Sequence, residues 1–272
     1  MIIEEFETIA KNIRFNLVDY SHRAKIPHLG SCLSCVDILT AVYWGALQID
    51  PKDPRNPNRD RFILSKGHGA PALFQVLSMK EFYPVSTLDT FGQDGSYLAE
   101  HPPTPKNLPG VEAATGSLGH GLPIGVGMAM AAKIQKRDYR VFALLSDGEC
   151  NEGSIWEAAL LAASQKLNRL TVIIDFNKWQ ATGSSEEIMA LNPLVDKWKA
   201  FGWDAFETDG HDITALLDLL KTPNDSGKPV AIVAHTVKGK GVSFMEDDNN
   251  WHYRTPSEEE VKLARRELLD SQ

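Results

Sequence analysis

Cysteine, basic charge and long apolar runs are all scarce in this sequence. Three cysteines in 272 residues cannot form a disulfide framework, so we expect a protein of the reducing cytoplasm. The 28 Lys and Arg residues are outnumbered by 36 Asp and Glu, which gives a formal net charge of −8. This acidic balance argues against non-specific nucleic-acid binding and against a polybasic membrane contact. No apolar run approaches the roughly 20 residues that span a bilayer.

The sequence also lacks features that would divide it or direct it elsewhere. It has no internal repeat, low-complexity tract or long Gly/Ser linker, so residues 1–272 are expected to form a single domain. The amino terminus, MIIEEFETIA, carries acids at once and has no basic start followed by an apolar block, which argues against a signal peptide.

The apolar pattern predicts an α/β fold, a parallel sheet flanked by helices on both faces. Short apolar runs bounded by turn residues are typical of buried parallel strands, and they occur at 62–64, 141–145, 170–175 and 229–237. Longer apolar-rich segments predict helices at 4–20, 33–47, 70–80, 121–137, 156–168, 194–201, 213–220 and 257–269. Proline and glycine predict irregular structure at 50–61 and 83–120.

Polar residues follow two of the predicted strands. Asp147 and Gly148 come just after the strand at 141–145, and Asn177 follows the strand at 170–175. Ligands of open α/β sheets bind beyond the carboxyl ends of strands, and carboxylate and amide oxygens suit Mg²⁺ or Ca²⁺ better than zinc. Gly148 would let phosphate oxygens approach the backbone. Taken singly, Asp147 could equally be a helix N-cap and Asn177 a turn residue.

Longer sequence blocks narrow this interpretation. They are HLGSCLSCVDIL at 28–39, ILSKGHGAPALF at 63–74, LPGVEAATGSLGHGLPIGVGMA at 108–129 and SDGECNEGSIWEAALLAA at 146–163. In this order they resemble the amino-terminal part of transketolase, and FGWDAFETDGHD at 201–212 and KGKGVSF at 238–244 extend the resemblance. The spacing of Asp147-Gly148 and Asn177 likewise resembles the diphosphate-binding motif of thiamine-diphosphate enzymes. The resemblance implies the diphosphate-binding domain of the thiamine-diphosphate-binding fold.

The resemblance also implies the cofactors and the residues that hold them. It implies thiamine diphosphate with Mg²⁺, or with Ca²⁺ or Mn²⁺ as alternatives, and cation ligands at the Asp147 and Asn177 side chains and the Trp179 carbonyl. The residues implied to contact the cofactor are His68, Gly116, Leu118, Asp147, Gly148, Glu152, Asn177 and His252. The histidines implied to act in catalysis are His28, His101 and His252.

The length of the chain leads to an expectation about partners. In the family, a pyrimidine-binding domain and a carboxy-terminal domain follow the region that this chain resembles. We therefore expect the amino-terminal subunit of a split transketolase, active only with a partner subunit that carries those domains. The resemblance implies an α2β2 heterotetramer and ketol transfer between sugar phosphates, with the small-residue stretch at 116–132 as the expected contact region.

Other functions stay open at this point. The enzyme could act on a modified sugar or a biosynthetic intermediate, or the chain could be a non-catalytic binding or regulatory subunit. A nucleotide-binding α/β protein is disfavoured, because the glycines of 125–127 lack the third glycine and the preceding strand of a dinucleotide fingerprint.

Several conspicuous residues also have a purely structural interpretation. Glu152 could be only an acid in the first turn of a helix. Cys32 and Cys35 lie in a mostly apolar helical stretch with no second Cys/His pair at zinc spacing, so they are expected to be buried small residues. No functional role is assigned to His22, His120, His211 and His235.

Overall fold

A computed structural model describes residues 1–221 and 226–270 of the chain. Its strands are β1 (Arg61–Leu64), β2 (Val141–Ser146), β3 (Leu170–Phe176), β4 (Asp204–Asp209) and β5 (Val230–His235). They form one sheet in the order β1-β2-β3-β5-β4, and every neighbouring pair is parallel.

Ten α-helices surround this sheet in the part of the chain that the structure describes. They are α1 (Ile3–Ala24), α2 (Leu29–Ser34), α3 (Val36–Ala41), α4 (Ala70–Met79), α5 (Gly121–Gln135), α6 (Gly153–Ser164), α7 (Ser185–Met189), α8 (Leu194–Ala200), α9 (Ile213–Lys221) and α10 (Glu258–Arg265). Short 3₁₀ turns at Gly67–Gly69, Val85–Thr90, Gly148–Asn151 and Asn249–His252, and π-helical turns at Val42–Ala46 and Arg266–Asp270, complete the secondary structure.

The central strands are buried on both faces, as is usual for a parallel sheet covered by helices. Phe142 and Leu144 of β2 pack into one hydrophobic core with α1, α3, α4 and α9. Ala143 and Leu145 point the other way, into a second core with α5, α6 and α8. Alternate side chains of one strand thus feed two cores, which confirms the predicted α/β fold with helices on both faces.

The register of β2 and β3 determines where the polar residues lie. Ser146 pairs with Asp175, and the N–H of Asp147 donates to the carbonyl of Asp175 at 3.2 Å. The two chain segments therefore leave the sheet side by side, so the loops that follow them share its carboxyl edge. This is the edge at which open α/β sheets bind ligands.

The structure corrects several predicted element boundaries. Strand β4 was not predicted, because this edge strand buries Ala205 and leaves most of its other side chains partly or fully exposed. The predicted helix at 33–47 is interrupted at Cys35, whose ψ of 8° lies outside the helical range, and α2 and α3 flank that residue. Helix α6 runs from Gly153 to Ser164, so it both begins and ends earlier than the predicted 156–168. Within residues 1–221 and 226–270, no helix is long and apolar enough to cross a membrane.

Candidate active site

Asp147 and Asn177 lie on adjacent loops at the carboxyl edge of the sheet. Asp147 is fully buried and Asn177 is 3% exposed. The Asp147 carboxylate accepts hydrogen bonds from its neighbour Gly148 N–H at 2.8 Å and from the Ser185 hydroxyl at 2.9 Å. Burial raises the pKa of Asp147 to about 6, because a carboxylate loses hydration there. The structure thus places both residues just after the carboxyl ends of two neighbouring strands, the position that the sequence predicted for them.

Trp179 belongs to a loop that folds back onto both of these residues. Its backbone N–H donates to Asn177 Oδ1 at 3.0 Å, and its indole N–H donates to Asp247 at 2.7 Å. An isolated bridge pairs Trp179 with Ser184, which precedes the Ser185 that contacts Asp147. Asp147, Asn177 and the backbone of Trp179 therefore belong to one hydrogen-bonded loop system.

A cation and a diphosphate fit these loops. No group of three or more His, Cys, Asp or Glu side chains suited to a metal occurs in the described part of the chain. A carboxylate, an amide oxygen and a backbone carbonyl are instead a donor set for a hard, partly hydrated cation such as Mg²⁺. A Cβ at Gly148 would lie 2.9 Å from Gln180 Cγ, and Gln180 Nε2 is buried there with no hydrogen-bond partner. The absence of a side chain at Gly148 lets a ligand approach the backbone, and the unpaired Gln180 Nε2 could donate to an anion. Both features suit a diphosphate beside the cation.

Three histidines that are far apart in sequence meet at the same edge. The ring centroids of His28 and His252 are 4.6 Å apart, and that of His68 lies 5.7 Å from His28 and 5.9 Å from His252. The backbone N–H of His28 donates to the backbone carbonyl of His252 at 2.8 Å. This bond links the start of α2 to the last 3₁₀ turn before α10. His28 Nδ1 is buried without a partner, so one ring nitrogen is available to a ligand.

The environment of the three rings keeps them uncharged at neutral pH. Burial, reinforced by the charge of Lys238, lowers the pKa of His252 to about 3. Burial also lowers the pKa of His28, and it lowers that of His68 well below its ordinary value of 6.5. An uncharged imidazole has a ring nitrogen that can accept a hydrogen bond, so the cluster is suited to binding a hydroxyl group.

Lys238 is a site residue that sequence analysis did not assign. It is fully buried, its ammonium donates to Asn249 Oδ1 at 2.5 Å, and it lies 3.3 Å from His252 Nδ1. Burial lowers the pKa of Lys238 to about 8. It is the first residue of the KGKGVSF block, and this short block does not indicate from the sequence alone where the Lys238 side chain points.

A second loop, which carries Gly116 and Leu118, packs against His101. Gly116 has a φ of +154°, and a Cβ on it would lie 2.9 Å from the His101 ring. A Cβ on Gly67 would lie 2.6 Å from the Gly116 nitrogen, so the segment that carries His68 packs directly on this loop. Leu118 is partly exposed. Gly116 therefore lies between His101 and the segment that carries His68, and Leu118 follows two residues later in the chain.

The acidic loop contains a buried glutamate that the sequence did not single out. Glu149 accepts hydrogen bonds from the Ser65 hydroxyl at 2.5 Å, the Gly119 N–H at 2.9 Å and the Ser146 N–H at 3.3 Å. It thereby joins three of the loops around the site. Glu152, which the sequence did predict, is the exposed N-cap residue of α6 and makes no side-chain capping bond. Its side chain lies against Gly119.

The remaining cysteines and histidines have structural surroundings. Cys32 and Cys35 are fully buried, and burial raises their thiol pKa values to about 12 and about 11, which confirms that they are packing residues. His211 Nδ1 lies 2.7 Å from Asp37. The other three unassigned histidines contact backbone or surface groups and lie outside the cluster; they are His22, His120 and His235.

Comparison with known proteins shows where this arrangement occurs. The sequence profile of the family described as "Transketolase, thiamine diphosphate binding domain" matches residues 6–270. The chain belongs to this transketolase family.

Similar proteins refine the comparison. The chain is 42% identical over 271 residues to an apulose-4-phosphate transketolase subunit of Phocaeicola vulgatus, covering 99% of this chain and 96% of that protein. It is 40% identical over 244 residues to "6-deoxy-6-sulfo-D-fructose transketolase subunit SqwG" of a Clostridium species, covering 89% and 88%. The crystal structure of transketolase from Campylobacter jejuni superposes with a TM-score of 0.92 at 30% identity. The superposition covers 98% of this chain and 43% of the Campylobacter chain, so this transketolase-family chain spans less than half of that enzyme.

Proposed function

We propose that residues 1–272 form the thiamine-diphosphate- and Mg²⁺-binding subunit of a heteromeric transketolase. The observation that carries this proposal is the convergence of Asp147 and Asn177 with three uncharged histidines at one edge of the sheet. The reaction would move a two-carbon ketol unit from a ketose to an aldose. The family membership and the names of the similar proteins, three of which are transketolase subunits, support the same conclusion.

In this proposal each group of residues has a distinct task. Asp147, Asn177 and the Trp179 carbonyl would hold the cation, and Gly148, Gly116, Leu118 and His68 would contact the cofactor. When bound, thiamine diphosphate supplies the carbon nucleophile that attacks the ketose carbonyl. His28, His101 and His252 would position substrate hydroxyls and accept or return their protons. The lowered pKa values of His28 and His252 keep both rings uncharged at neutral pH, so that they can accept hydrogen bonds from those hydroxyls.

Lys238 supplies the positive charge of the site. Its ammonium is buried beside His252, where it would attract an anionic cofactor or substrate group. The same charge disfavours protonation of His252, so it keeps that imidazole uncharged. A cationic group and an uncharged imidazole thereby lie side by side at the site.

A partner subunit is expected to complete the site. Helices α5 and α6 expose large apolar side chains, which are Ile124, Ile134, Leu160 and Leu161. The two helices pack against each other, and an interface would cover apolar side chains that such a pair leaves exposed. We propose that α5 and α6 mediate self-association, and that Glu152 contacts a second copy of the chain. With a carboxy-terminal subunit that carries the pyrimidine-binding domain, the complex would be an α2β2 heterotetramer in the cytoplasm.

The substrate is expected to be a phosphorylated or otherwise anionic modified ketose. Two similar proteins are named for apulose 4-phosphate and one for 6-deoxy-6-sulfo-D-fructose. The buried cation Lys238 suits a substrate of that charge. A non-catalytic regulatory subunit is the alternative from another class, and the complete set of site residues argues against it.

The test measures ketol transfer and cofactor binding together. The chain would be assayed alone and with a transketolase carboxy-terminal subunit of the same organism, in the presence of thiamine diphosphate and Mg²⁺. We expect activity in the mixture and none from the chain alone. Asp147→Asn should abolish Mg²⁺-dependent cofactor binding, measured by calorimetry, while Asp196→Asn on the exposed face of α8 should not. Activity of the chain alone would refute the requirement for a partner subunit. A mixture that binds no thiamine diphosphate would refute the assignment as a cofactor-binding subunit.

A further inference from the structure

A buried ion pair lies directly beneath the predicted cation ligands. Asp175, at the end of β3, has no exposed surface, and its carboxylate accepts hydrogen bonds from Lys66 Nζ and from the Thr236 hydroxyl. The Ser34 hydroxyl donates to the same carboxylate at 2.6 Å. Lys66 is also fully buried and donates to the Ser31 carbonyl at 2.8 Å. Four separate chain segments therefore meet at Asp175.

Ser34 is the one of these groups that also touches Asn177. The amide nitrogen of Asn177 lies 3.4 Å from Ser34 Oγ, and its amide oxygen accepts the Trp179 N–H at 3.0 Å. The amide of Asn177 is thus held between a serine on its nitrogen side and the predicted cation loop on its oxygen side.

The direction of these hydrogen bonds follows from the ion pair. A carboxylate held by a lysine can only accept hydrogen bonds, so the single proton of Ser34 is used in the short bond to Asp175. The other possible acceptor, the Ser31 carbonyl, is farther away at 3.1 Å. With its proton used, Ser34 Oγ can only accept a hydrogen bond from the amide, and the Asn177 NH₂ group is the donor that faces it at 3.4 Å. The amide oxygen of Asn177 must consequently face away, towards the Trp179 loop.

We propose that Ser34 is a positioning residue, which fixes the Asn177 side chain with its oxygen towards the cation. Lys66 and Asp175 set the direction of this relay, and Ser34 transmits it to the amide. An asparagine that could turn over would present its NH₂ group to the cation in part of the molecules. The proposal rests on the function proposed above, since it concerns the cation site of that function.

Thr236 provides a matched control for Ser34. Both hydroxyls are buried and both donate to Asp175. Among the described contacts, the hydroxyl of Ser34 reaches Asn177, whereas that of Thr236 does not. Ser34→Ala and Thr236→Val therefore remove the same type of bond to Asp175, and they differ in the link to the amide.

The experiment compares cation affinity with thermal stability. The chain, assembled with its partner subunit, would be titrated with Mg²⁺ by calorimetry at a fixed concentration of thiamine diphosphate. We expect Ser34→Ala to weaken Mg²⁺ binding at least about tenfold, as loss of a residue that orients a metal ligand does. Thr236→Val should change the Mg²⁺ affinity by less than about threefold. Its change in Tm should be similar to that of Ser34→Ala. Ser34→Cys replaces the hydroxyl by a slightly larger and weakly accepting thiol. It should weaken Mg²⁺ binding as Ser34→Ala does, and it serves if the alanine variant does not fold.

The outcomes distinguish failure of the positioning role from failure of the proposed function. Equal loss of Mg²⁺ affinity in the serine and threonine variants would overturn the positioning role, and so would normal affinity in both serine variants. A wild-type complex that shows no Mg²⁺-dependent binding of thiamine diphosphate would instead refute the proposed function, and the positioning role with it.

Discussion

Removing the ammonium of Lys66 should destabilise the chain strongly. Lys66 and Asp175 form an ion pair in which both side chains are completely buried. Lys66→Met leaves the Asp175 carboxylate with two hydroxyl donors and no countercharge. Breaking such a pair from one side costs about 3–5 kcal/mol, because the remaining charge stays buried without compensation. For a chain of this length, 1 kcal/mol corresponds to roughly 2–4 °C in Tm, so we expect Tm to fall by roughly 6–20 °C.

Thermal denaturation followed by circular dichroism at neutral pH measures this effect. The variant Lys66→Met/Asp175→Asn removes both charges, and it should recover more than half of the lost Tm, because no unpaired charge then remains. Lys262→Met breaks the exposed pair with Glu258 and should leave Tm unchanged, since surface pairs contribute little.

Two results would refute this reasoning. A loss of less than about 1 kcal/mol in Lys66→Met would mean that Asp175 does not retain an uncompensated charge when its partner is removed. A double variant no more stable than Lys66→Met would mean that the side-chain volume of Lys66, rather than its charge, is what the fold requires.

Three further predictions concern pH, the site loop and association. The folded-state pKa of His252 is about 3, below its ordinary 6.5, so the stability that its neutral form contributes is present above pH 6.5 and is lost as the pH falls towards 3. Between pH 7 and 5, the free energy of urea unfolding should fall by about 1–2 kcal/mol more in the wild type than in His252→Asn, and equal losses would contradict this. Gly116→Ala places a methyl group 2.9 Å from the His101 ring; displacing this ring should cost about 1–2 kcal/mol and lower kcat/KM of the assembled enzyme about 5- to 30-fold. Asp196→Asn on the exposed face of α8 should leave kcat/KM unchanged, and an equal loss in both variants would contradict the prediction. Leu160→Lys on the exposed face of α6 should shift the sedimentation coefficient towards that of a smaller assembly, and an unchanged value would exclude this face from the interface.

The sequence predicts the sheet and its ligand-binding edge for a simple physical reason. Strands β2 and β3 are buried on both faces, so they read as unbroken apolar runs, and the polar residues at their ends stand out. Asp147 and Asn177 could therefore be assigned to one edge from the residues alone. The meeting of His28, His68 and His252 depends on three distant segments, and no local pattern contains that information; it entered the prediction through the family resemblance.

The residues that sequence analysis missed are those whose surroundings reverse their usual preference. Lysine and aspartate are rarely fully buried, so Lys66, Asp175 and Lys238 gave no signal that they lie in the interior. Glu149 looked like one more acid in an acidic loop, whereas it accepts three hydrogen bonds. Strand β4 was missed for the opposite reason, because an edge strand with one buried apolar residue lacks the pattern of a buried strand.

The electrostatics of the site favour one kind of ligand over others. Asp147 and Lys238 are both buried, and neither has an ion-pair partner within residues 1–221 and 226–270. Burial shifts their pKa values towards neutral pH, to about 6 and about 8, so the fold alone stabilises both charges poorly. A cation beside Asp147 would offset the free-energy cost of burying the carboxylate, and an anion beside Lys238 would offset that of burying the ammonium. A ligand that combines a divalent cation with a diphosphate satisfies both at once, whereas a neutral sugar or an anion without a cation leaves Asp147 uncompensated.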